Sequence, residues 1–301
     1  MTDEQWKNFC NFREEFYEYV NSIKNKYPQL KELQMEAAKI AKTPDYNFEN
    51  PIVYNQALNE IQKSDEIKLI VIGDNPGKNE QLSCNCRYLV GQAGKIAEGW
   101  FKKNPEFNID FRKNVIILNK TPIHSAKTTQ LNTISKLGGK EISDLIEQSQ
   151  IWMAEHTAKL HMELYKNSLP ELWLVGYAEL KGKGIFTKYK EKLFDCYKNS
   201  EIAASKTTPI STAWNSVYVF QHFSMNRFSI DFNEFINNSS STNKSPDNQN
   251  SSSAGKNSSS TGHNSSSASK NFSSAALLQN QNELWNKLHE LGEFHKTEIF
   301  S

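Results

Sequence analysis

Two textures of apolar spacing divide the chain. Residues 3 to 26 place Trp6, Phe9, Phe12, Phe16, Val20 and Ile23 at helical intervals. Residues 28 to 42 repeat the pattern with Leu30, Leu33, Ala37 and Ile40, so two amphipathic helices are predicted. From Ile67 onward short unbroken apolar runs take over: IKLIVIG (67–73), NVIILN (114–119), LWLVG (172–176) and VYVFQ (217–221). A run with no polar position offers no face to water, so each predicts a strand buried on both sides. Amphipathic segments at 93–103, 141–166 and 185–198 separate these runs. Such alternation, with right-handed crossovers, predicts an α/β fold: a three-layer α/β/α sandwich around a central four-stranded, mainly parallel sheet. Ligands of open sheets of this kind lie beyond the carboxyl ends of the strands.

The same patterning sets the expected organisation. Residues 1–63 form a helical segment packed on the domain, 64–236 the α/β/α domain, 237–274 a Ser/Asn-rich linker and 275–301 a last helix carrying Leu277, Leu284, Trp285, Leu288 and Leu291. The linker has too little aliphatic content to offset its ordering entropy, so disorder is expected there. Thirty-five basic against thirty-four acidic side chains in 301 residues leave a net charge of +1, which excludes a uniformly cationic coat but not a local basic groove. No apolar run approaches the ~20 residues that span a bilayer, and MTDEQWKNF lacks the pattern of a secretory signal. Cys10, Cys84, Cys86 and Cys196 are too scattered for a disulfide framework. A reduced, cytoplasmic, monomeric chain without membrane contact is expected.

Chemistry concentrates in the turns after the strands. The run GDNPGKNE follows the first, where Pro76 fixes one backbone angle, Gly77 permits a close approach, and Asp74 or Asn75 is held stiffly enough to place a water. Asn119 ends the second strand; its amide offers a donor pair and an acceptor, matching a pyrimidine edge that carries a carbonyl and an N–H. After the fourth strand, QHFSMN brings His222 as a hydrogen-bond donor to a developing anion, Ser224 for a phosphate, and Met225 as a bulky apolar tip. His156 and His161 lie five apart in a helical segment, share no face, and read as packing or surface residues. Neither G-x-x-x-x-G-K-[ST] nor G-x-G-x-x-G occurs, so no nucleotide cofactor is expected.

Taken in order, GDNPGKNE, YLVGQAG, LNKTP, WLVGYAEL and QHFSMN resemble the motif series of the uracil-DNA glycosylase superfamily, with the V-G-x-A-G run closest to its family 4. The likeness spans about Ile67 to Phe232. It implies a uracil-DNA glycosylase-like fold and a DNA repair enzyme that flips uracil, or a related deaminated base, out of DNA and hydrolyses its N-glycosidic bond. Asp74, Asn75 and His222 fall on the catalytic positions, and Asn119 on the uracil-reading amide. Leu89, with Tyr88 beside it, stands where the family stacks an aromatic ring on uracil, and Phe223 stands where it has proline. Ser224 and Met225 fall on the phosphate-binding and base-displacing turn, while Lys78, Lys120 and Lys127 are candidates for flanking phosphates. The cysteines lack the C-x-x-C spacing of the family 4 iron–sulfur cluster, so no cofactor and no metal are expected. Two other readings share the pocket: a DNA-binding member of the fold without chemistry, and a hydrolase of free nucleosides.

Overall fold

The computed structural model describes residues 1–199, 210–241 and 274–301. Strands β1 (Leu69–Gly73), β2 (Val115–Asn119), β3 (Glu171–Val175) and β4 (Val217–Phe220) form one sheet in the order β2-β1-β3-β4, every pair parallel. Each apolar run therefore becomes a strand, displaced by no more than two residues from its sequence bounds. The register sets Gly73 beside Asn119 and Val175 beside Phe220, which brings the carboxyl ends to a common edge. The chain leaves β1 toward β2 on one side and returns past it to β3 on the other. The direction of winding thus reverses between β1 and β3, where open parallel sheets leave a crevice.

Helices cover both faces. On one side α4 (Gln130–Ser168) packs against α1 (Asp3–Lys26), α2 (Leu30–Ile40) and α6 (Thr187–Asn199). A capping box of Thr2 with Gln5 starts α1, and Gln5 Nε2 then donates to the Leu164 carbonyl at 2.6 Å, tying the two helices together. Phe9, Phe12, Phe16, Val20 and Ile23, the positions picked by spacing, are the ones α1 buries.

The opposite layer holds α3 (Gln92–Lys103), α8 (Arg227–Ser241) and α9 (Ser274–Phe300) around a cluster of rings. Trp100 lies 5.0 Å from Phe228 and 4.9 Å from Phe107, and Phe107 lies 4.6 Å from Trp285 of α9. Short helices α5 (Tyr177–Leu180) and α7 (Ile210–Asn215) flank β3 and β4 in sequence. Both sheet margins are covered, which removes open strand edges. Asn55 donates to the Ile117 carbonyl at 2.8 Å on the β2 side, and the His295 ring of α9 meets the Val219 carbonyl at 3.2 Å on the β4 side.

Two features depart from the sequence reading. A helix begins at Gln130, eleven residues before the expected start, and is interrupted at Gly139 before the expected segment continues. Helix α8 runs to Ser241, past the expected boundary at 236, because Phe228 and Phe232 seat it on the aromatic cluster. The rest of the Ser/Asn tract, 242–273, lies outside the described residues. Among the described residues no helix is long and apolar enough to cross a membrane.

Candidate active site at the carboxyl edge of the sheet

The turn after β1 separates its two polar residues. Asn75 turns away from the crevice, its Nδ2 donating to Ser125 Oγ at 2.9 Å and to the Ser125 carbonyl at 3.2 Å. That amide staples the first turn to the loop after β2. Asp74 faces the other way, over the reversal point between β1 and β3. It packs so closely on Gly176 that a Cβ there would overlap Oδ1, and Gly176 also adopts φ +97°, a backbone region costly for other residues.

Lys120 fills the space beneath Asp74. Its side chain is fully buried, and Nζ donates to Asp74 Oδ1 at 2.6 Å, to the Val175 carbonyl at 2.6 Å and to the Gly73 carbonyl at 3.2 Å. The three ammonium hydrogens are thereby used. This corrects the expectation of Lys120 as a surface contact for phosphate: enclosed by both strand ends and 4.9 Å from the Phe186 ring centroid, it has no route to a DNA backbone. Burial draws its ammonium below the ordinary lysine range, while the charges of Asp74 and Glu179 push back. Burial and the neighbouring Asp74 raise Glu179, on α5.

His222 stands beyond β4, part-exposed. The Ser224 backbone N–H donates to its Nδ1 at 3.1 Å, and the Ser224 hydroxyl lies 2.8 Å from the same nitrogen. A ring nitrogen that accepts carries no proton, so the neutral ring holds its hydrogen on Nε2, which has no partner among the described residues. Burial lowers His222 below the ordinary histidine range, Asp74 pulls it up, and Lys120 pushes it down. Burial thus favours the neutral ring, with Nε2–H as its donor.

Asn119 completes the edge. It is nearly fully buried, its Nδ2 has no hydrogen-bond partner, and its Oδ1 lies where a Cβ on Gly73 would come within 2.5 Å. A buried amide donor left unpaired costs about 1–3 kcal/mol, a cost that a ligand carbonyl would remove.

The remaining sequence candidates lie around this group. Tyr88 is closed into the core with its hydroxyl donating to the Val53 carbonyl at 2.6 Å, and Leu89 is buried with φ +49°. Neither supplies an exposed ring. Phe223 is buried 4.8 Å from Phe228 and anchors the His222 turn. Met225, 69% exposed with φ +55°, projects from that turn. Lys127 is exposed after β2, and Lys78 lies 5.0 Å from the Tyr46 ring centroid.

Two supporting residues carried no signal in the sequence. His124 is fully buried between the Pro76 carbonyl, 2.8 Å from Nδ1, and the Tyr46 hydroxyl, 2.9 Å from Nε2; burial pushes it down to about 4. Glu80 accepts from the Gly77 amide at 2.7 Å, and the amides of Leu89, Val90 and Gly91, ahead of α3, favour its charged form; burial still pushes it up to about 7. The dipeptides around both residues are ordinary turn chemistry, and only long-range packing gives them these roles.

All four cysteines are free thiols, and among the described residues no group of three or more His, Cys, Asp or Glu side chains could hold a metal ion. Comparison with known proteins returns no family model, no curated protein and no solved structure that matches this chain.

Proposed function

We propose that the chain is a uracil-DNA glycosylase-type hydrolase, acting on uracil or a related deaminated base after swinging it out of DNA. The observation that carries the reading is a pair of unspent groups at one carboxyl edge of the sheet. His222 Nε2–H and the buried Asn119 amide are both donors without partners among the described residues, and Asp74 leaves the same edge. Asn119 Nδ2 would donate to a pyrimidine carbonyl, and His222 Nε2–H to the base oxygen that gains charge as the bond breaks. The glycosidic electron pair leaves with the base, positive charge grows on the sugar, and Asp74 stabilises it while its free Oδ2 holds the water that attacks the anomeric carbon and accepts the proton that water gives up. Met225 would occupy the vacated stack, with Ser224, Lys78 and Lys127 near the flanking phosphates.

Incubation with uracil-containing single strands and duplexes, followed by alkaline cleavage at abasic sites, tests this. Strand breaks at uracil are expected, and they should fall at least about 100-fold in His222→Ala. Uncut strands, or a variant that cuts as fast as the parent, would overturn the proposal. Leu89 at the stacking position favours a second reading, a DNA-binding member without chemistry, which predicts retarded DNA with every uracil intact. Free deoxyuridine as a parallel substrate separates a nucleoside hydrolase from both.

A further inference from the structure

We infer that Lys120 is a positioning residue of this site: its buried ammonium ties Asp74 Oδ1 to the carbonyl ends of β1 and β3, presents Oδ2 to the crevice, and offsets the field of the carboxylate at His222. The inference rests on the glycosylase reading for the identity of the reaction, but not for the geometry.

The ammonium sits where the sheet changes winding direction, and its three bonds reach one side chain and two backbone carbonyls drawn from both central strands. A lysine in contact with a single carboxylate could be a chance pair. One whose every hydrogen is assigned, at zero exposure, is a fixed charge. Its backbone N–H donates to the Gly73 and Asp74 carbonyls at 3.0 and 3.1 Å, so main chain and side chain brace the same turn. Asp74 therefore cannot rotate without breaking the bond from Oδ1, and Oδ2 keeps one orientation.

The second effect concerns His222. A carboxylate beside a histidine normally favours imidazolium, which would add a proton at Nδ1 and break its acceptance from the Ser224 amide. The charges that act on His222 are Asp74 of the first turn and Lys120 of the second, and both of these act in turn on Glu179 of α5. Lys120 is the cation among them. The Asp74 side chain can then face the sugar while the His222 ring, biased toward its neutral form, donates to the base.

Nitrogen-15 NMR of the histidine ring in the full chain tests this without relying on activity, because ring shifts report both tautomer and protonation. In Lys120→Met the His222 midpoint should rise by at least threefold in proton affinity, and in Asp74→Asn it should fall. Opposite movements are a signature that loosened packing would not produce. An unmoved or lowered midpoint in Lys120→Met overturns the inference. If that variant does not fold, Asp74→Asn decides alone, and an unmoved midpoint there is equally fatal. A covalent adduct between Lys120 and an abasic strand, trapped by borohydride, would also overturn it by making the amine a nucleophile. Uracil left intact by the parent protein refutes the glycosylase reading while the titration still decides Lys120.

Discussion

His161 and His222 are both histidines drawn below the ordinary range by burial, and they differ in one respect. His161, near the C-terminal end of α4, has its Nδ1 2.5 Å from the Tyr197 hydroxyl and its Nε2 2.9 Å from the Pro170 carbonyl. His222 has its Nδ1 occupied and its Nε2 open. The same division runs through the asparagines, since Asn75 has its amide donor engaged with Ser125 and Asn119 does not. Burial alone marks neither pair. An unused donor is what separates the two members of each pair.

The largest expected effect breaks this comparison directly. Replacing His222 by Ala should slow base release by 10² to 10³, about 3–4 kcal/mol in the barrier, with little change in unfolding midpoint. Replacing His161 by Ala should do the reverse, costing about 3 kcal/mol of stability because two buried partners lose their bond, while the rate per folded molecule holds. Abasic-site assays paired with urea unfolding measure both, and equal behaviour of the two variants would erase the distinction.

Asn119→Ala is next, with uracil release expected to fall roughly 10- to 100-fold. Its stability should stay level or rise, since the substitution removes a buried donor that has no partner. A marked loss of stability would mean that the amide is structural.

The acid response sharpens the comparison further. Burial holds His124 and His161 down at about 4, whereas the unfolded chain protonates them near 6.5. Between those values the unfolded state binds more protons, so their contribution to stability rises with pH and is lost on acidification. Glu80 runs the other way: folded it ionises near 7, unfolded near 4.5, so stability falls as pH rises through that window. Two histidines against one glutamate leave a net loss of about 1 kcal/mol per pH unit on going from 6.5 to 4.5. Glu80→Gln should steepen that loss by about the same amount, which urea midpoints across the range would show.

The smallest effect belongs to the rim. Lys127→Ala should weaken DNA binding without altering base release at saturation, and should lower the slope of log affinity against log salt by about one. An unchanged slope would remove Lys127 from the binding path.

The strands were legible from residue order because unbroken apolar runs admit one placement, inside a parallel sheet. The gathering of polar side chains at one sheet edge was legible for the same reason: Asp74, Asn119 and His222 each directly follow such a run or close one. What could not be read was direction. Asn75 faces Ser125 fifty positions away, and Lys120 meets Asp74 only because the register places Asn119 beside Gly73. Lysine is seldom fully buried, so local reading assigns it to the surface unless a distant partner is known. Gln130 to Gly138 lacked a sustained apolar stripe, which hid its helix, and the role of Glu80 depends on amides presented by a loop beyond it.

Helix α9 seals the outer margin of β4 through His295 and stacks His289 on Tyr218, 4.5 Å between ring centroids. Order of synthesis gives that contact a consequence. A ribosome releases β4 and its histidine turn long before residues 274–300, so a growing polypeptide carries a strand with a bare, pairable side until translation of α9 is finished. Ordering of the reactive turn should then track emergence of the last helix. Chains lacking 274–301 should be cut by protease near Tyr218 faster than the whole protein, and equal rates would uncouple the two.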